Sequence, residues 1–310
     1  MMSDLIPGAG FHDLSDEVYF TRQIDPGDGI PVFGLSQSAA KYLLPPSTPA
    51  HFQAYLANPP APTAALDFGH IAHLMALGKG QPYQVVPDTG WKTQTGKDAA
   101  PGWSTTEAKA AVAEVEAAGL IAVKPADAAT IEAMAEALLA NSAAAEILTD
   151  PALMPEVTLC VQDPQTGIWL LGKADLLGPN IIADYKTFRG LADPASFAAE
   201  VWKRRYHMQS AWYLSLCDFL GQPRPQFVFI VQEKNLPYEV GIYDLSGAFL
   251  ENGFHLMRQA IDLYAACLEA GEWPGLLQEM QTLEPPPWAN SGRNIQDEIE
   301  IESESIWETI

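Results

Sequence analysis

Apolar and polar positions change their rhythm twice along the chain. Up to about residue 146 the apolar residues recur mostly at helical spacing. "LSQSAAKYLL" places Ser36 ahead of a short helix that runs into Pro45 and Pro46, and "PAHFQAYLA" predicts a second, with Pro49 in its first turn. In "FGHIAHLMALG", Phe68, Ile71, Leu74 and Met75 fall at helical spacing, Asp67 is placed to cap the run and Gly78 to stop it. Residues 88–105 mix Gly, Thr and Lys without a period and read as a loop, and two alanine-rich helices follow over 105–118 and 126–146. The rhythm then shortens. "EVTLCVQ", "GIWLLGKADLL" and "IIADYKT" are rich in β-branched and aromatic residues and broken by "DPQTG" and "GPN", which predicts three strands in a meander.

After residue 193 a long helical segment, with room for a break, runs to Gly221. Two more strands, "PQFVFIVQEK" and "YEVGIYDLS", precede a long final helix from Gly247. A meander, then helix, strand, strand and helix argues for an α/β (α+β) domain whose central mixed sheet is flanked by helices, with a helical N-terminal region. Residues 1–33, rich in Gly, Pro and Asp, are expected to form an irregular lead-in, 34–288 one domain, and 289–310 an acidic, disordered tail. In that tail the last fourteen residues hold six acids. Its alternation of Ile299 and Ile301 with glutamates leaves a second reading, a strand added to a partner's sheet edge.

The 310 residues suffice for a core without disulfide staples. Cys160, Cys217 and Cys267 lie in apolar runs without a CxxC pair, which points to buried thiols in a reducing compartment. No secretion signal and no run of about 18 apolar residues is present, so a cytoplasmic location without membrane contact is expected. A formal net charge of −22 argues against a generic nucleic-acid coat, and any DNA site must be local, built from a few basic side chains or from metal ions.

One stretch carries candidate chemistry. In "GKADLLGPNIIADYKT", a two-residue turn at Pro179 and Asn180 would make Asp175 face Asp184 across a hairpin, whereas a three- or four-residue loop would shift that register. Two facing carboxylates repel, so something positive belongs between them. Strand alternation puts Lys186 on the face of Asp184, with Tyr185 on the other. A hard divalent ion such as Mg²⁺ or Mn²⁺ suits two carboxylates, and a neighbouring ammonium can hold or help deprotonate water and stabilise charge developing on a phosphate. The spacing alone is equally compatible with a structural triad in which Lys186 pairs with one acid.

"GKADLL" and "IIADYKT" resemble the G-x-x-D and D-x-K signatures of the RecB-like branch of the PD-(D/E)XK nuclease superfamily, and the chain is similar to the exodeoxyribonuclease VIII (RecE-like) nucleases of phages and prophages. The likeness spans residues 34–288 in the family's order: "LSQSAAKYLL" with "TPAHFQAYL", the G-x-x-x-H helix "LDFGHIAHLMAL", the strands "PEVTLCVQDPQTGIWLLGKADLL", the Q-x-x-x-Y helix "YHMQSAWYLSL", and the late hairpin "FVFIVQEKNLPYEVGIYDL". It implies a restriction-endonuclease-like core. It further implies metal ligands at His73, Asp175 and Asp184 with the Tyr185 carbonyl as a fourth, Lys186 as the catalytic lysine, and Glu156 placing water or supporting the ligands. Gln209 and Tyr213, one helical turn apart, would touch DNA or brace the site. His70 lacks such support.

The resemblance implies a Mg²⁺-dependent exodeoxyribonuclease (Mn²⁺ as the alternative ion) that digests linear duplex DNA 5′→3′ from its ends. Such an enzyme leaves 3′ single strands for an annealing protein in recombination, acts as a ring-shaped homo-oligomer, and works in a bacterial or phage-infected cell. Lys203, Arg204 and Arg205, the densest basic cluster, are candidate phosphate contacts, as are Lys92 and Lys97 more weakly. The phosphate-loop pattern is absent, so no nucleotide cofactor is expected. Two rivals stay open: a DNA-end-binding or scaffold protein on a nuclease fold, and an endonuclease or single-strand exonuclease of the same superfamily.

Overall fold

The computed structural model describes residues 5–59 and 64–286; the acidic tail lies outside the described residues. The chain divides into two units, Met1–Gly275 and Leu276–Ile310, and residues 276–286 of the second carry no helix or strand. The first unit opens with β1 (Ile6–Pro7), β2 (Gly10–Asp13), α1 (Asp16–Thr21), β3 (Gln23–Asp25), β4 (Val32–Phe33) and β5 (Leu35–Ser36). The expected irregular lead-in is therefore ordered across its described part. Ile6 and Ile24 pair in parallel and are fully buried with Cys160 and Leu171, and β2 joins the main sheet, with Gly10 facing Cys160 and Asp13 facing Val157. Strands of two to four residues are too short to register as a period.

Next come α2 (Gln37–Ala40), continued by a 3₁₀ turn Lys41–Leu43, α3 (Pro49–Ala57) and α4 (Ala64–Leu77). Gly78 ends α4 at φ 69, as expected, but the helix begins before Asp67, which therefore lies within it. Two short parallel strands, β6 (Tyr83–Val85) and β7 (Ile121–Val123), bracket α5 (Thr106–Ala117) and were not apparent from the sequence. The second alanine-rich run is α6 (Pro125–Ala140) and α7 (Ser142–Leu148), divided at Asn141, whose side chain accepts the Ala144 N–H at 3.0 Å and so caps α7.

The meander is β8 (Met154–Gln162), β9 (Trp169–Leu177) and β10 (Ile181–Phe188), all antiparallel. The long helical segment breaks at Arg205, φ 58, into α8 (Pro194–Arg204) and α9 (Tyr206–Phe219). It returns the chain to β11 (Gln226–Glu233), parallel to β10, followed by β12 (Val240–Asp244) and α10 (Gly247–Ala270). The sheet order is β12-β11-β10-β9-β8-β2, with β5 parallel beside the start of β9. Alternation along β10 sends Ile182 to a core with Trp212, Leu216 and Ile261 from α9 and α10. Ala183 and Tyr185 pack on the opposite face with Ala72 of α4 and Leu138 of α6. The fold is a mixed sheet flanked by helices. Gly253 lets α10 approach α9 closely, because a Cβ there would lie 2.2 Å from the His207 carbonyl oxygen.

The feature that positions the site is a split in this sheet. β10 pairs with β9 only at Leu176 and Leu177, and β5 pairs with β9 only at Leu170 and Leu171. Among the described residues the intervening part of β9 has no strand neighbour on that edge, and α9 covers the gap and its border. The Trp212 indole donates to the Leu171 carbonyl at 2.9 Å. The Tyr213 hydroxyl accepts the Lys173 N–H at 3.1 Å and donates to the Lys173 carbonyl at 2.8 Å. Gly172 leaves room for that ring: a Cβ would sit 2.8 Å from Tyr213 Cε1. Tyr213→Phe, which strands both backbone groups, is expected to cost about 1–3 kcal/mol. Thermal denaturation should show a midpoint several degrees lower, and an unchanged midpoint would mean that water replaces the hydroxyl.

Candidate active site

Three carboxylates line up across the middle of the sheet. Pro155 faces Leu176 and Val157 faces Ala174, so Glu156 stands opposite Asp175. That pair drops out of the ladder because Glu156 has φ 56, a left-handed backbone that costs a non-glycine residue about 1–3 kcal/mol and persists only where its surroundings impose it. On the other side, Ile182 faces Leu177 and Ala183 faces Leu176, the register expected from a Pro179–Asn180 turn. Continued by one residue, it sets Asp184 against Asp175. The ladder parts there, and the Tyr185 N–H donates instead to Asp175 Oδ2 at 2.8 Å.

His73, on α4, approaches the row from above the split. Its Nδ1 lies 3.5 Å from Asp175 Oδ2, and its ring meets that of Tyr185 edge-on. His73, Glu156 and Asp175 each offer a ligand atom, all within 4.8 Å of one another. Asp184 is placed differently: it is buried, accepts from Gln209 Nε2 at 2.7 Å, and meets Lys186 Nζ in an ion contact of 2.5 Å. The Lys186 contact falls on its Oδ2 and the Gln209 bond on its Oδ1. Gln209 thus holds Asp184 from α9, and Tyr213 of the same helix holds the backbone of β9. Tyr185 contributes its N–H, while its hydroxyl donates to Gln232 on the other face at 2.6 Å.

The electrostatics follow from burial. Desolvation pushes the Asp175 and Asp184 carboxyls up to about 6, partly offset by the Lys186 charge. Burial, aided by Lys186, pushes His73 down to about 4, so the imidazole is neutral and its lone pair free near pH 7. Burial alone would lower the Lys186 ammonium, but Asp184 and Asp175 outweigh it and hold it above its ordinary value. The carboxylates of Glu156 and Asp175 and the neutral imidazole of His73, whose ligand atoms lie within 4.8 Å of one another, form a donor set that fits a divalent cation.

Glu156 and Asp175 line a cleft of about 1150 Å³ together with His73 and Lys186, whereas Asp184 lies buried behind its wall. Of the expected basic cluster only Arg204 lines it, paired with Glu200 at 2.7 Å. Arg205 instead donates to the carbonyls of Lys41 and Pro45 and fastens the 3₁₀ turn, and Lys203 is exposed outside the cleft. Successive positions at a helix end fan apart by about 100°, so three adjacent bases do not share a face. Lys92 pairs with Asp98 within its own loop at 2.5 Å. The basic side chains in the cleft are Lys79, Lys173, Lys186, Arg189, Arg204 and Lys234.

Sequence reasoning missed Lys173 and Asp16. Lys173 joins Glu156 Oε2 at 2.7 Å and Asp16 on α1, and Asp16 had no motif to mark it. Lys173, inside the G-x-x-D signature, was legible as a second lysine on the strand of Asp175, with a side chain on the same face.

A family model described as "PDDEXK-like domain of unknown function (DUF3799)" matches residues 36–284. Asp16 comes from outside that span. Among solved structures, a Eubacterium rectale protein provisionally described as an exonuclease superposes with a TM-score of 0.56 at 14% identity, over 92% of this chain and 100% of that one. At this identity the likeness is one of fold. A second structure, SSO0001, gives a TM-score of 0.26 at 17% identity over 44% of this chain and 68% of its own, and carries no argument. No curated protein matches the sequence.

Proposed function

This chain belongs to the PDDEXK-like DUF3799 family, and from that premise we propose that it is a divalent-metal-dependent deoxyribonuclease that degrades linear duplex DNA from its ends without ATP. The observation that carries this reading is the row Glu156, Asp175 and Asp184 across the split sheet, with His73 above it and Lys186 beside it. We assign His73, Asp175 and Asp184 to the metal, with Glu156 joining them and the Tyr185 carbonyl as a further ligand. Mg²⁺ is the proposed ion and Mn²⁺ its alternative, since carboxylate, carbonyl and water oxygens suit both. When bound, the ion supplies Lewis acidity toward a coordinated water and a phosphate oxygen.

The chain's own groups do the rest. Lys186, held as an ammonium by Asp184, donates hydrogen bonds that orient the attacking water and offset charge developing on the phosphate. That protonation state favours the orienting role over removal of the water's proton. Gln209 fixes Asp184 from α9, and Tyr213 fixes the strand that carries Asp175. No helix among the described residues is long and apolar enough to cross a membrane. The RecE-like particulars, 5′→3′ polarity, a homo-oligomeric ring and a single-strand annealing partner in recombination, belong to the proposal through the motif resemblance.

One assay tests the core of it. End-labelled linear duplex incubated with the protein should shorten with Mg²⁺ and stay intact with EDTA, while circular duplex survives. Binding of ends without cleavage at any metal concentration would favour the scaffold reading and refute this one; cutting of circles would favour an endonuclease. The pH dependence has a definite sign. Below about pH 6, protons compete with the metal for Asp175 and Asp184, whereas His73 stays neutral down to about pH 4. The half-saturating Mg²⁺ concentration should therefore rise roughly tenfold or more per unit as pH falls below 6.

A further inference from the structure

Four of the six bases in the cleft are committed to acids: Lys79 to Asp13, Lys173 to Glu156 and Asp16, Lys186 to Asp184, and Arg204 to Glu200. Arg189 and Lys234 make no ion pair among the described residues. In a chain with 39 acids and 17 bases, two adjacent cations without an acid run against the composition. Their adjacency is built in. β10 and β11 run parallel with Phe188 beside Glu233, so Arg189 and Lys234 follow side by side beyond the carboxyl ends of the two central strands, and the Lys234 N–H donates to the Phe188 carbonyl at 2.8 Å. Ligands of open α/β sheets gather at such strand ends.

Lys234 is not a freely solvated surface lysine. It is half-buried, its Nζ sits 4.6 Å over the Phe68 ring on the helix that carries His73, and burial together with the Arg189 charge pushes its ammonium below the ordinary value. A cation held this way without an anion is an incomplete site. Lys186 lies three residues before Arg189, which keeps their Cα atoms within about 11 Å.

We propose that Arg189 and Lys234 form a phosphate-binding subsite for the nucleic-acid strand being cut, next to the scissile position. The guanidinium fork grips two phosphate oxygens and the ammonium adds a point charge. This rests on the nuclease reading and specifies how so acidic a chain holds its substrate. The phosphate is either internal to the strand or the terminal 5′-phosphate.

The test is binding of a short linear duplex in EDTA, where nothing is cleaved, measured as log affinity against log salt concentration. In the full chain, the double substitution R189Q/K234Q should lower the salt slope by about 1.8, two phosphate contacts at about 0.9 each, and weaken binding roughly 10- to 100-fold at low salt. Lys109→Gln, a charge lost from exposed α5, should leave the slope unchanged. A retained Mg²⁺-induced thermal shift in the double variant shows that the fold and metal site survive. Duplexes with 5′-phosphate and 5′-hydroxyl ends identify the source: equal losses on both assign an internal phosphate, and a loss confined to phosphorylated ends assigns the terminal one. A slope unchanged in the double variant overturns the subsite alone. Wild-type protein that binds no duplex overturns the nuclease reading and the subsite with it.

Discussion

Lys186→Ala is expected to lower cleavage of linear duplex DNA by about 10³-fold or more while leaving the protein folded and still bound to DNA. The magnitude is that of a preorganised cation removed from the place where phosphate charge develops. Only the side-chain ammonium is lost, because β10 is held by its backbone ladder to β11 over its full length. The change also leaves Asp184 buried with Gln209 as its remaining partner, so the metal-free protein should melt lower than wild type. Rates on end-labelled duplex, circular dichroism and a binding measurement in EDTA separate these effects. Cleavage within tenfold of wild type would remove Lys186 from the mechanism and return it to a structural ion pair.

The second large effect concerns Asp175. Asp175→Asn keeps the shape and still accepts the Tyr185 N–H, but removes the charge shared between His73 and the acidic row. Cleavage should fall by a similar factor, and the thermal stabilisation that saturating Mg²⁺ gives the wild type should vanish. That stabilisation is about 2.7 kcal/mol at one hundred times the dissociation constant. The metal-free variant should melt above metal-free wild type at pH 7.5. The sign follows from a folded-state pKa raised to about 6: an unfolded aspartate ionises near 3.8, so ionisation between those values destabilises the fold, and asparagine escapes that cost. The two melting curves, with and without Mg²⁺, give both answers. A Mg²⁺ shift as large as wild type's would show that the cation binds elsewhere.

The hairpin was the most legible part of the site: of the loop lengths that "GPN" allows, the pairing of Ile182 with Leu177 selects the two-residue turn, which sets the register of Asp175 and Asp184. The Q-x-x-x-Y spacing pointed correctly to a shared helix face, although only the structure shows that Gln209 reaches a carboxylate while Tyr213 serves the backbone of β9. Less could be read where contacts are long in sequence and short in extent. β6 and β7 pair across an intervening helix, and Asp16 meets Lys173 from a six-residue helix without a buried residue. Met75 shows the limit of periodicity. It keeps helical spacing with Ile71, yet it is exposed, and Ala72 turns inward instead. Arg205 misled for a related reason: a run of bases reads as one patch, but its backbone turns left-handed and aims it at two carbonyls.

The split between β9 and β10 has a mechanical side. Along this seam the backbone pairing closes only at the turn end; farther along, the fasteners are an amide proton on a carboxylate and a phenol on a peptide group. Asp175 on β9 and Asp184 on β10, the residues assigned to the metal, stand where the rungs are missing. The open seam is the space the candidate site occupies, and a substitution that zipped the strands fully together would trade that site for a sturdier sheet.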